Sequence, residues 1–199
     1  KKPDDRVLAV ASVRDNYSGY PSNGLTPQKL AAILKEADAG DVYRQMELFE
    51  EMEEKDAHLY SILQTRKLAV TGLDFEIVPF SEEKKDRDVA DFVADIIHNL
   101  PDLEDNLLDM LDAVGKGYSA LELYWDIRNN KNIIRHMEWV HPKRFLWYDE
   151  KGRSNTPRLL TDDAPMGVDL PAFKFLFHKH KIKSGHPTRQ GVLRVVVWM

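Results

Sequence analysis

From Thr26 onward, apolar residues recur every three or four positions, the period of a helix with one buried face. Leu30, Ile33, Leu34 and Ala37 predict a first helix. Thr26 is its cap, and Pro27 is at the first helical position, where a missing N–H is harmless. The helix stops near Gly40, and Asp41 is the next cap. Val42, Met46, Phe49, Met52, Asp56, Leu59, Leu63 and Arg66 then trace one face of a long second helix running to about Val70, with carboxylates on its other face. Gly72 closes it, and LDFEIVP alternates Leu73, Phe75 and Ile77 inward as a short strand ended by Pro79. Val89, Phe92, Val93, Ile96 and Ile97 predict a third helix ended by Pro101. Leu103, Leu107, Met110, Leu111 and Val114 predict a fourth.

Beyond Gly117 the period changes from helix to strand. YSALELYWDI and IIRHMEWV flank a polar RNNKN turn and predict a β-hairpin, with Trp125 and Trp139 near its two arms. RFLWYD is another strand, turned by DEKGRSN towards RLLT, and a loop rich in Asp and Pro leads to AFKFLFHKH. There Phe173, Phe175 and Phe177 alternate with Lys174, Leu176 and His178, giving one dry face and one wet face. The expectation is an α+β fold, N-terminal helices followed by a meander of short antiparallel strands. Residues 1–25 show no sustained period and are expected to form an extended arm, leaving 26–199 as the folded domain.

Composition adds limits to that picture. The 199 residues are 43% hydrophobic and 31% charged, the balance of a globular chain with a heavily charged surface. No cysteine is present, which excludes disulfides, thiolate chemistry and cysteine metal sites. No run of apolar residues reaches membrane-spanning length, so no membrane partner is expected. The chain starts without Met and ends on the apolar run VLRVVVWM, from which we expect the natural protein to continue.

The net charge of −5 hides an asymmetry. Nine acidic residues fall between Glu36 and Asp56 against Arg44 and Lys55, whereas the stretch from Pro171 to Met199 has six Lys and Arg residues and no acid. A split of this kind suits complementary contacts between copies or a basic face for an anionic partner.

The candidate chemistries are weak. Gly115-Lys116-Gly117 suggests a phosphate-binding loop, but it follows a helix instead of opening one, lacks the Ser or Thr after the lysine, and has no earlier glycine at the required spacing. It reads as a helix stop. Asp105, Asp109 and Asp112 share a helix face opposite the leucines, the look of a solvated surface. His178 and His180 point the same way from a strand, and His136, His141 or His186 could supply a third metal ligand, but the neighbouring lysines would repel a cation. Neither a Gly-x-Ser-x-Gly elbow nor a dinucleotide-binding glycine signature occurs, so no enzyme activity and no cofactor are expected.

Several motifs in one order point elsewhere. Gly24 to Pro27 (GLTP), Ala37 to Asp41 (ADAGD), Met52 to Asp56 (MEEKD) and Thr65 to Leu73 (TRKLAVTGL) resemble the opening of the portal proteins of Mu-like phages and prophages. The resemblance continues through GYSALELYW at Gly117 to Trp125, HPKRF at His141 to Phe145, and SGHPTRQGVLR at Ser184 to Arg194. It implies a non-catalytic subunit of a ring, commonly of twelve copies, at the head vertex of the virion. Double-stranded DNA passes through such a ring, and the packaging motor (the large terminase subunit), capsid and neck proteins dock on it. Assembly would take place in the host cytoplasm, and this chain would be the outer, wing-like N-terminal part.

On that reading Lys174, Lys179, Lys181, Lys183, Arg189 and Arg194 are candidates for contact with DNA or a neighbouring subunit, and Glu47, Glu50, Glu51 and Glu54 for acidic subunit contacts. Two other readings compete: a metal-dependent enzyme, which bound metal or hydrolysis would reveal, and a free-standing, non-specific nucleic-acid-binding domain, which needs the basic stretch to form one face. Residues 1–199 alone are expected to be a monomer or a weak, salt-sensitive oligomer, because exposed ion pairs contribute only about 0–1 kcal/mol each.

Overall fold

Thr26 lies in extended backbone and its hydroxyl accepts the Lys29 amide, so α1 (Pro27–Ala39) begins where the spacing predicts. The computed structural model describes residues 19–149 and 151–198. Most of the expected arm, residues 1–18, lies outside the described residues. Of its remainder, residues 21–24 form a turn, and the Ser22 amide donates to the Glu51 carboxylate at 2.9 Å. Gly40 ends α1 with φ +115°; a side chain there would meet the Trp147 carbonyl oxygen at 2.3 Å, so the glycine allows two backbones to touch.

The long second helix is in fact two, α2 (Tyr43–Lys55) and α3 (Ala57–Thr71). Asp56, placed by its spacing on the apolar face, instead takes extended backbone, and its carboxylate accepts the amides of His58 and Leu59. An aspartate that satisfies orphan amides starts a new helix more readily than it continues an old one. The break resets the phase of α3, and Lys67, four residues after buried Leu63, takes the inward place that the spacing gave to Arg66.

The strand expected at LDFEIVP does not form: residues 73–79 are irregular, and Leu73 and Phe75 are exposed. A single strand leaves its backbone groups unpaired unless it meets a sheet edge. The next helix, α4 (Lys84–His98), has the expected apolar stripe but buries none of its residues. The fourth predicted helix is interrupted at Leu111 and Asp112, giving α5 (Leu103–Met110) and a single turn, α6 (Ala113–Lys116).

β1 (Tyr118–Arg128) and β2 (Lys131–Val140) form the predicted hairpin around Asn129 and Asn130, with φ +49° and +61°. Two successive left-handed residues match the twist of paired strands, and asparagine tolerates that conformation. β3 (Phe145–Asp149), β4 (Gly152–Thr161) and β5 (Ala164–Asp169) form a separate sheet in the order β3-β4-β5. β5 falls in the stretch expected to be a loop, and its Val168 pairs with Leu159 of β4. The meander is therefore confined to this sheet. β6 (Phe175–Lys179) leaves it and adds to the other edge of β1, giving the order β2-β1-β6. The α+β expectation holds, with two small sheets in place of one run of strands.

The core gathers Met46 and Phe49 of α2, Leu63 of α3, Tyr118 and Ala120 of β1, and Phe145 and Trp147 of β3, all almost wholly buried. The Tyr118 hydroxyl donates to the Pro142 carbonyl at 2.7 Å, and its ring meets Trp147 edge-on at 4.9 Å. Leu193 of the last helical turn, α7 (Leu193–Val196), closes the core, so the C-terminal segment packs beside the first helices.

Candidate functional site

The lysine of Gly115-Lys116-Gly117 ends α6 pointing inward. Its side chain is 3% exposed, with Nζ 2.7 Å from Glu50 Oε2 and 2.9 Å from Asp112 Oδ2. Lys67 Nζ reaches the other Asp112 oxygen at 3.2 Å, and His141 Nε2 lies 3.2 Å from Glu50 Oε2. Asp112 is thus buried between two lysines, which corrects its place on a solvated face: the helix breaks at this residue and turns it into the protein. A side chain at Gly115 would strike Glu53 at 2.8 Å, and one at Gly117, where φ is +96°, would strike the Gln190 backbone at 2.8 Å. The two glycines make room for neighbouring segments, and the lysine between them is held by carboxylates, so the Gly-Lys-Gly stretch is a structural joint.

The electrostatics follow from that geometry. Burial alone would lower the Lys116 ammonium, but Asp112, Glu53 and Glu50 outweigh it and hold it above its ordinary value. The hydrogen bond from His141, helped by Lys116, draws the Glu50 carboxyl down to about 2 against the opposing effect of burial. Burial pushes Glu53 up, and burial with the nearby Asp112 and Asp105 charges pushes Asp109 up. Four carboxylates around two lysines cannot all ionise cheaply, and the better-paired Glu50 takes the charge.

The acidic candidates are largely occupied. Glu47 pairs with Lys143 at 3.2 Å, and Glu51, 3% exposed, holds Ser22 and Lys55. Glu54 is exposed and has no ion pair among the described residues. All four line one open cleft of about 440 Å³, together with Tyr20 and His141.

The basic candidates divide. Lys174 is buried beside Glu122 of β1, with Nζ 3.2 Å from its carboxylate and 4.5 Å from the Tyr124 ring. Arg194 reaches Asp38 of α1 at 2.7 Å and also donates to Gln45. Arg189 lies 3.5 Å from the same Asp38 oxygen. The basic end of the chain therefore meets the acidic region inside one subunit. Lys179 lies over the Trp147 ring at 5.0 Å, and Lys181 and Lys183 are exposed without an ion pair among the described residues. The six cations do not form one face.

The histidines do not converge either. His178 and His180 stack at 6.2 Å, as two residues on one side of a strand should. His136 stacks on Tyr124, His141 serves Glu50, and His186 is shared between the Ser154 carbonyl and the Thr188 hydroxyl. Among the described residues no group of three His, Asp or Glu side chains is placed to hold a metal ion.

Sequence reasoning missed Asp38, Lys67, Glu122 and the inward role of Lys116. A signal existed for Lys67, at four residues from Leu63, but not for Lys174: alternation puts Phe173 inward and Lys174 on the wet face, whereas Phe173, with φ +62° ahead of the strand, is 81% exposed and Lys174 is buried. The motifs named above are themselves joints. Gly191 of SGHPTRQGVLR packs so closely that a side chain there would lie 2.2 Å from the Gly115 carbonyl oxygen, and the Val192 amide donates to the Val114 carbonyl.

What this fold and these side chains define is an α+β structural domain whose ionised groups join one chain segment to another. The chain belongs to a known family: residues 46–199 match that of the portal protein of Mu bacteriophage. It is 34% identical over 189 residues to the Mu-like prophage FluMu protein gp29 of Haemophilus influenzae, covering 92% of this chain and 35% of that protein. It is 32% identical over 194 residues to the portal protein of Escherichia phage Mu, covering 95% of this chain and 36% of that one. The resemblance read from the motifs is borne out, and the chain spans about a third of the length of these curated relatives.

Proposed function

We propose that this chain is the outer, N-terminal part of a portal subunit, and that the whole protein forms a closed ring at one vertex of a phage head. The ring serves as the channel for DNA packaging and ejection and as the dock for the packaging motor and neck proteins. The observation that carries this reading is the family match through residues 46–199, which runs from within α2 through every later element. The organisation of the domain agrees with a structural role, since its buried ions tie helices to strands. Among the described residues no helix is long and apolar enough to cross a membrane. Electron micrographs of the full-length protein test the reading directly: closed rings with a central channel are expected, and a monomer or an open filament under assembly conditions overturns it.

Of the six basic candidates, Lys179, Lys181 and Lys183 are left for contact with DNA or with a neighbouring subunit, because Lys174, Arg189 and Arg194 pair with carboxylates of their own subunit. A channel must let DNA slide, so such contacts would be to phosphate and without sequence preference. If all three touch DNA, replacing them by glutamate lowers the salt slope of DNA binding by about three. An unchanged slope assigns the lysines to a neighbouring subunit.

A further inference from the structure

Two surfaces of the subunit are apolar, exposed and uncovered. The first runs from the end of α3 through the irregular segment to α4 and shows Leu73, Val78, Phe80 (97% exposed) and Val89. The second lies around β6, an edge strand, and shows Phe173 (81% exposed), Leu176 and Ile182. Exposed apolar surface of this extent marks an interaction site. Their charges are opposite. Residues 72–98 hold eight acidic residues against three basic ones, a net of −5, whereas residues 173–183 hold four lysines and no acid. Of those four, Lys174 pairs with Glu122 and Lys179 lies over the Trp147 ring, while Lys181 and Lys183 have no ion pair among the described residues. Asp88 and Asp91 beside the α4 stripe have no ion pair among the described residues.

We propose that these two surfaces meet between copies: the α4 surface of one subunit is covered by the β6 surface of the next. α4 against α4 would oppose two acidic faces, and β6 against β6 two rows of lysines, so a self-complementary dimer is disfavoured on both sides. Only the crossed pairing joins apolar to apolar and acid to base. A contact between different patches is head-to-tail, and repeated it either closes into a ring or grows into a filament. The inference thus deepens the portal reading and, for closure, rests on it.

The 199 residues contain no cysteine, so thiols can be placed at will in this part of the chain. In the full-length protein, Val89→Cys combined with Leu176→Cys is expected to give a ladder of covalently linked copies with a short bismaleimide, while either substitution alone gives none. Both residues are exposed, so folding is left undisturbed. Independently, Lys181→Glu with Lys183→Glu should weaken self-association by about tenfold or more, and adding Asp88→Lys with Asp91→Lys should restore it. Linkage by Val89→Cys alone overturns the crossed pairing, because α4 then faces itself. Rings in micrographs that tolerate the reversed lysines and give no ladder overturn this contact alone, since something else covers α4. A ladder without rings leaves the contact standing and overturns the ring.

Discussion

α2 and α4 are near neighbours in sequence, and both sort apolar from charged residues sharply along the helix. Their fates differ completely. α2 buries Gln45, Met46, Leu48, Phe49 and even Glu51, and its Glu47, Glu50 and Glu51 pair with Lys143, with Lys116 and His141, and with Lys55. α4 buries nothing, and its stripe of Val89, Phe92, Val93 and Ile96 faces outward or half-outward. An amphipathic pattern states that a face needs cover, and it does not state which surface supplies the cover. For α2 the cover is the rest of its own subunit. For α4 the cover we propose is the β6 surface of the next subunit.

The sharpest break between the two helices should appear in stability. Phe49→Ala removes a ring that is fully buried in the core and is expected to cost about 3–5 kcal/mol, measured by urea unfolding of the isolated chain. A cost near zero would mean that α2 is as loosely attached as α4. The charged side of α2 comes next. Lys116→Met removes the cation shared by Asp112 and Glu50, leaving Lys67 on one and His141 on the other, and is expected to cost about 3 kcal/mol at neutral pH, the low end of the penalty for breaking a buried pair from one side. Loss well below 1 kcal/mol, roughly the level of an exposed pair, would show that water reaches the cluster freely.

The same cluster gives α2 a dependence on pH that α4 should lack. Glu50 is held down to about 2 from an ordinary 4.5, so its stabilisation is fully present above about pH 4.5 and disappears as the pH falls from there towards 2. Glu53 and Asp109, whose carboxyls are pushed up, act in the opposite sense and soften the loss. Glu50→Gln should therefore lower stability at pH 7 while flattening its fall through this acid window, and an unaltered pH profile would remove Glu50 from the account. The smallest effect belongs to α4. Val89→Ala should change the stability of the isolated chain by no more than about 0.5 kcal/mol, while weakening self-association of the full-length protein. A larger loss on unfolding would mean that α4 is covered within its own subunit.

Local features of the chain were legible without the structure. Thr26 and Pro27 marked the start of α1, the Asn-Asn turn marked the hairpin, and Gly117 marked a helix end, because caps and turns are decided by the residues that form them. The family was legible too, since its motifs stand in order along the chain. Errors arose where the outcome depended on a distant partner. LDFEIVP alternates like a strand but finds no ladder, and residues 164–169, expected to be loop, become a strand because β4 offers them an edge. The charge split between the two halves was correctly counted, but where those charges go was a tertiary decision. Asp38 claims Arg189 and Arg194, Glu122 claims Lys174, and Asp112 claims Lys67 and Lys116. Sequence fixes the sign and number of charges, whereas only folding sets the distances between them, and an ion pair's strength depends on distance and burial. Caps, turns and the family were therefore readable from the chain alone, and folding decided which charges are spent inside the subunit and which stay exposed.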